Sequence, residues 1–152
     1  MSTPLSQLIT EDHVVLGAAP ESWQDAIREV AGPLLDSDSI TAVYVDRMIE
    51  VVDRFGPYIV LAPGVALAHA QPDGSVTRTA MSAMTVPAGV RFGHEQHDPV
   101  LLVLCLAAAD SSSHLEALKG FVQILRDPAA VDRLVAAPDA GAFRALLEPT
   151  PR

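Results

Sequence analysis

Two histidines and a short run of serines carry most of the chemistry this sequence offers. His69 lies near the end of Tyr58-Ile59-Val60-Leu61-Ala62-Pro63-Gly64-Val65-Ala66-Leu67-Ala68-His69-Ala70-Gln71-Pro72, where a β-branched and aromatic run passes through a Pro-Gly turn into a second apolar run. Ala68 and Ala70 put only small side chains beside its ring, Gly64 lets the backbone bend behind it, and Pro72 stops the strand. A positioned imidazole can act as base, metal ligand or nucleophile near neutral pH. The bland alternative is a hydrogen-bonded loop or core histidine. His114 follows Asp110-Ser111-Ser112-Ser113, where a buried strand gives way to a helix. Helix starts present free backbone N–H groups that suit anions, and strand-to-helix crossings are where α/β proteins place their sites. If the fold joins the two histidines, His69 attacks a phosphoryl group while the helix start, the hydroxyls of Ser112 and Ser113, and His114 hold its oxygens. Their separation in sequence leaves that junction to tertiary structure.

Phosphoryl transfer between proteins demands little beyond alignment and charge stabilisation, so no nucleotide site is required. None is visible: the chain has no G-x-x-x-x-G-K-[ST] loop, no G-x-G-x-x-G and no clustered carboxylates for Mg²⁺, and no cofactor is expected. His94 and His97 have an i, i+3 spacing that zinc could use, but H-E-x-x-H and a cysteine pair are both missing, so no metal is expected. A serine hydrolase would want a G-x-S-x-G elbow, which is absent. Cys105, inside Leu101-Leu102-Val103-Leu104-Cys105-Leu106, reads as a small buried hydrophobe. Arg47, Arg54, Arg78 and Arg91 read as surface charges, with Arg78 or Arg91 able to meet a phosphate if folded towards His69.

The elements that must position these groups follow from the periodicity. Val14-Val15-Leu16-Gly17 reads as a first strand after a short polar start. Ser22 caps a helix with apolar positions Trp23, Ala26, Ile27 and Val30, Asp25 is placed for a capping box, and Gly32-Pro33 ends or kinks it. After the polar Asp36-Ser37-Asp38-Ser39, a second helix from Thr41 carries Tyr44, Val45, Met48, Ile49 and Val52 and stops at Phe55-Gly56-Pro57. Beyond a turn at Gln71 to Ser75, residues 79–86 have strand composition and Pro87-Ala88-Gly89 closes them. A polar loop with His94 and His97 precedes the apolar run from Val100 to Ala107, which suggests a strand buried on both faces. Leu115, Leu118, Val122 and Leu125 mark the apolar face of the helix after His114. Pro128 to Val135 reads as a short helix, Asp139 caps a last one bearing Phe143, Leu146 and Leu147, and Pro149 to Arg152 reads as frayed.

At 152 residues the chain fits one domain, 1–152, with a sizeable core. Aromatic residues are few, so Ala, Val, Leu and Ile must fill it, as in an α/β layer structure. A formal net charge of −9 and no run of Lys or Arg argue against nucleic acid and anionic membrane surfaces as partners. One cysteine excludes a disulfide framework. No signal-peptide pattern and no apolar run of membrane-spanning length is seen, so a cytoplasmic location without membrane insertion is expected.

The motifs also resemble a known family. The run from Tyr58 to Ala70, Val90-Arg91-Phe92-Gly93, Asp98-Pro99-Val100, Leu106-Ala107-Ala108-Ala109-Asp110 and Ser113-His114-Leu115 are similar to the enzyme IIA domain of the phosphoenolpyruvate-dependent sugar phosphotransferase system. Within its fructose, mannitol and nitrogen-regulatory superfamily, the chain looks most like the ascorbate-type branch. The resemblance implies a three-layer α/β sandwich with a mixed sheet between helices. It also implies that His69 accepts a phosphoryl group from the histidine phosphocarrier protein and gives it to an enzyme IIB domain, with His114 positioning or stabilising that group. Two departures stand out: Ala68 replaces the usual proline, which is expected to loosen the local backbone, and Glu50, Val51 and Val52 stand where mannitol-type members carry an arginine. A regulatory binding module of the same fold, switched by phosphorylation of His69, is the alternative, and a domain that has kept only a scaffolding role is a third. The sugar, and whether the chain forms a homodimer, are left open by the sequence.

Overall fold

The computed structural model describes residues 5–72, 74–127 and 129–147; Pro149 to Arg152, expected to fray, and Asp73 and Pro128 within the expected turn and helix lie outside them. Five strands form one mixed sheet: β1 (Val14–Val15), β2 (Val60–Ala62), β3 (Val65–Ala68), β4 (Ala80–Val90) and β5 (Val100–Ala107), in the order β1-β4-β5-β3-β2. β5 is central, antiparallel to β4 and parallel to β3, while β1 runs parallel to β4 and β2 antiparallel to β3.

The apolar runs alternate between two cores. Ala66 and Ala68 of β3 with Val103, Cys105 and Ala107 of β5 face α2 (Trp23–Asp36) and α3 (Ala42–Phe55). Val65, Leu67, Leu102, Leu104 and Leu106 face the other way, against α4 (Ser111–Leu125), α5 (Ala130–Val135) and α6 (Ala140–Ala145). A strand covered on both faces has no polar side to show, which is why β5 reads as a continuous apolar run. The result is the three-layer α/β sandwich expected from the motifs. A short helix α1 (Leu5–Leu8) and a 3-10 turn at Glu11–His13 occupy the segment read as a polar start.

Local rules account for most boundaries. Ser22 accepts the N–H of Asp25 at the start of α2, and Asp139 accepts that of Ala142 at the start of α6. Gly56, at φ 89°, ends α3 in a conformation that favours glycine. Of the two outcomes expected at Gly32-Pro33, an end to α2 is not seen: the helix continues to Asp36, with Leu34 fully buried beyond the proline. Two further expectations need correction. β4 runs through Pro87-Ala88-Gly89 to Val90 by way of a register shift between Thr85 and Val90. Gly89 permits it: φ is 82° and a Cβ there would stand 2.8 Å from Cβ of Pro99. On α4 Ala117 and Phe121 are buried, and Leu118 and Leu125 of the expected apolar face pack partly buried beside them, but Leu115 and Val122 are exposed.

Candidate functional site

β3 and β5 run parallel with Ala68 opposite Cys105, so their carboxyl ends lie side by side. His69 is the first residue past β3, and α4 begins four residues past β5. The sheet therefore joins the two distant histidines: their ring centroids are 5.4 Å apart, with planes inclined at 58°. Thr79 steadies the junction by accepting the N–H of Ala109 at its Oγ1, 2.9 Å away.

His69 is half-buried and aimed by its own strand. The N–H of Leu67 is donated to Ile59 in the hairpin between β2 and β3, while the carbonyl of Leu67 lies 2.7 Å from Nδ1 of His69. A carbonyl oxygen can only accept, so Nδ1 carries the proton and Nε2 keeps the free lone pair. The edge of Tyr58 forms one wall, its ring centroid 6.0 Å from that of His69 at 81°. Burial raises the Tyr58 phenol further above its ordinary value. Ala68, in place of the usual proline, is fully buried and paired with Cys105 inside β3.

His114 sits at the fourth position of α4, its N–H donated to Asp110 at 3.1 Å. Burial, and then the neighbouring His69, push its pKa below the usual histidine value. Its Nδ1 is buried with no hydrogen-bond partner among the described residues. The expected anion cradle at this helix start is partly filled from within. Asp110 caps α4, accepting the N–H of Ser113 at 2.8 Å. That contact, with the hydroxyl of Ser113 and the N–H of Ser112, holds the Asp110 carboxyl below its ordinary range. Ser112 is exposed and Ser113 half-buried.

Other candidates are placed elsewhere. His94 and His97 stack at 4.4 Å and 10° in the loop from β4 to β5, at the opposite end of the sheet from His69. Nδ1 of His94 accepts the N–H groups of Gln96 and His97, and Asp98 accepts those of Phe92, Gly93 and His94, so these side chains shape the loop. Among the described residues no three His, Cys, Asp or Glu side chains are grouped to hold a metal. A cleft of about 480 Å³ beside Gly64, His97, Asp98 and Asp127 lies at that same far end and includes neither His69 nor His114. Cys105 is buried and its thiol is pushed up to about 12. Arg78 is bound to Ser39 Oγ and the carbonyl of Ser37, and Arg91 is exposed at the far end of β4. Arg47 donates to the carbonyl of Gln71, two residues past His69. Tyr44 was legible only as an apolar helix position, yet its hydroxyl reaches Ala70 and Leu106 on either side of the site. The signal was there in principle, because a buried tyrosine needs a partner for its hydroxyl.

Residues 7–149 match the family model described as "Phosphoenolpyruvate-dependent sugar phosphotransferase system, EIIA 2". The chain belongs to this EIIA family. It is 34% identical over 120 residues to the ascorbate-specific EIIA component of Escherichia coli K12, covering 78% of each chain. Its identity to the Salmonella typhimurium ascorbate-specific component is 33% over 128 residues, or 84% of this chain and 83% of the relative. Among solved structures, the mannitol-specific cryptic phosphotransferase enzyme IIA of E. coli superposes with a TM-score of 0.85 at 29% identity, covering 95% of this chain and 98% of that one. The mannitol enzyme IIA in its complex with phosphorylated enzyme IIB, also from E. coli, shares the fold at a TM-score of 0.81 and 23% identity, with 92% and 98% covered. The EIIA chain is thus a phosphotransfer component of the sugar phosphotransferase system. No described helix is long and apolar enough to cross a membrane.

Proposed function

We propose that this chain is a cytoplasmic phosphocarrier that accepts a phosphoryl group on Nε2 of His69 from the histidine phosphocarrier protein and passes it to an enzyme IIB component. The observation that carries this reading is the bond from Nδ1 of His69 to the carbonyl of Leu67, which leaves the opposite nitrogen as the nucleophile. In the transfer, the Nε2 lone pair forms the new P–N bond as the donor's P–N bond breaks, and the donor imidazole leaves with the electron pair. The His69 ring gains positive charge as this happens, and the Leu67 carbonyl stabilises it through the Nδ1–H. The same charge makes the ring a good leaving group for onward transfer.

His114 assists from the side. Burial and the neighbouring His69 disfavour its charged form, so it adds little repulsion to the positive charge that grows on the His69 ring during transfer and can offer an N–H to a phosphoryl oxygen. Ser112 and Ser113 contribute less, because the Asp110 carboxylate already occupies that helix start and repels an anion there. Tyr58 and Leu115, 47% and 53% exposed beside the two histidines, give the site an apolar rim suited to a protein partner. The net charge of −9 suits a donor with a basic docking face. Ascorbate-specific relatives support an ascorbate-type transport system, with the sugar itself bound by the membrane component.

Incubation with phosphoenolpyruvate, enzyme I and the histidine phosphocarrier tests this directly. One acid-labile phosphoryl group should appear by intact mass and disappear on adding the cognate enzyme IIB. Stable labelling that enzyme IIB cannot discharge would remove the transport role and leave a phosphorylation-switched binding module.

A further inference from the structure

We infer that Tyr44 is a positioning residue for His69: its hydroxyl replaces a strand-to-strand hydrogen bond and holds open the gap in which the histidine stands. The inference rests on the phosphocarrier reading for its consequence and on geometry for its substance. Along β3 and β5 the ladder begins with the carbonyl of Gly64 accepting the N–H of Leu102. In a parallel ladder one strand's bonding residues alternate, so Gly64, Ala66, Ala68 and Ala70 face β5 in turn. The bond due after the last pair, Ala68 with Cys105, runs from Ala70 N–H to the Leu106 carbonyl.

That bond is intercepted. Ala70 N–H donates to the Tyr44 hydroxyl at 3.0 Å, and the hydroxyl donates to the Leu106 carbonyl at 2.7 Å. The Ala70 carbonyl is also within reach, at 3.3 Å, but a phenol has one proton and the nearer acceptor takes it. Tyr44 is fully buried at the start of α3, with no freedom to turn away. One oxygen atom thus separates the two segments one residue beyond His69. β3 and β5 stay tied but splayed, so His69 can fold back onto Leu67 on one side and face His114 on the other. Its neighbour His69 is therefore fixed by backbone bonds at both flanks, Leu67 and Ala70.

Tyr44→Phe removes the oxygen and keeps the ring. ¹⁵N NMR of the His69 ring in the unphosphorylated protein should move from a single Nδ1–H tautomer towards averaged shifts, and the labelling rate should fall about ten- to a hundredfold. Ser82→Ala, which deletes a buried hydroxyl bound to the carbonyl of Val30 in the same sheet–helix interface, should change neither. An unshifted tautomer with wild-type labelling in Tyr44→Phe would overturn the inference while leaving the phosphocarrier reading intact. Failure of the wild type to label would remove that reading, and the tautomer comparison would still decide the role of Tyr44. If Tyr44→Phe does not fold, hydrogen exchange of Ala70 in the wild type decides: protection like that of the β3 interior supports the bridge, and loop-like exchange refutes it.

Discussion

The ring of His69 is bound to the backbone of Leu67, two residues earlier, by a single Nδ1–H···O=C contact of 2.7 Å. This contact converts a strand end into a directed nucleophile, because it decides both which nitrogen is free and where that nitrogen points. Phosphate is therefore expected on Nε2. ³¹P and ¹⁵N NMR of the labelled protein should show coupling to Nε2 alone, and coupling to Nδ1 would mean that the Leu67 contact breaks before reaction.

His114 is expected to aid transfer without carrying the phosphoryl group. His114→Ala should still label on His69 but about a hundred- to a thousandfold more slowly, the order of losing one well-placed donor at a reacting centre. Rapid-quench labelling measures this. An unchanged rate would make His114 a packing residue.

The depressed pKa of His114 has a consequence for stability with a definite sign. Its unfolded value is near 6.5 and its folded value lies lower, so between the two the unfolded chain binds the extra proton. The contribution of this group is fully present above pH 6.5 and is lost as pH falls through the folded value. His114→Gln should flatten that part of a denaturation-versus-pH profile. In the phosphorylated protein the nearby dianion should raise the His114 titration, visible as a shift in its ring proton resonances.

Gly89 marks a structural limit remote from the site. An alanine there must hold φ near 82° and meet Pro99, so Gly89→Ala should destabilise the fold by about 1–3 kcal/mol, measured by urea unfolding. At temperatures where the variant is folded, labelling of His69 should be unchanged, since Gly89 lies at the other end of the sheet.

Much of this site could be read from residue order, for reasons the structure makes plain. The Pro-Gly turn and the buried β5 are local features, and local features place His69 past a strand and His114 in the first turn of a helix. Their meeting depends on strand order, and the family motifs supplied what periodicity could not. Missed features are those where tertiary packing overrides a local signal. Leu34 carries α2 past Pro33, the Gly89 bulge carries β4 past Pro87, and Ala117 with Phe121 turn Leu115 towards solvent. The helix start at Ser112 and Ser113 reads as an anion site, and only the fold shows the Asp110 side chain accepting the Ser113 N–H there. Tyr44 was hidden for a further reason: its spacing on α3 is that of any core residue, and its hydroxyl acts across chain segments far away in sequence.

The most direct test of the account is an intact-mass time course with phosphoenolpyruvate, enzyme I and the histidine phosphocarrier, comparing the wild type with His69→Ala. The account predicts one acid-labile phosphoryl group on the wild type and none on His69→Ala. Equal labelling of both proteins, or none of the wild type with a carrier from the same source, would contradict it.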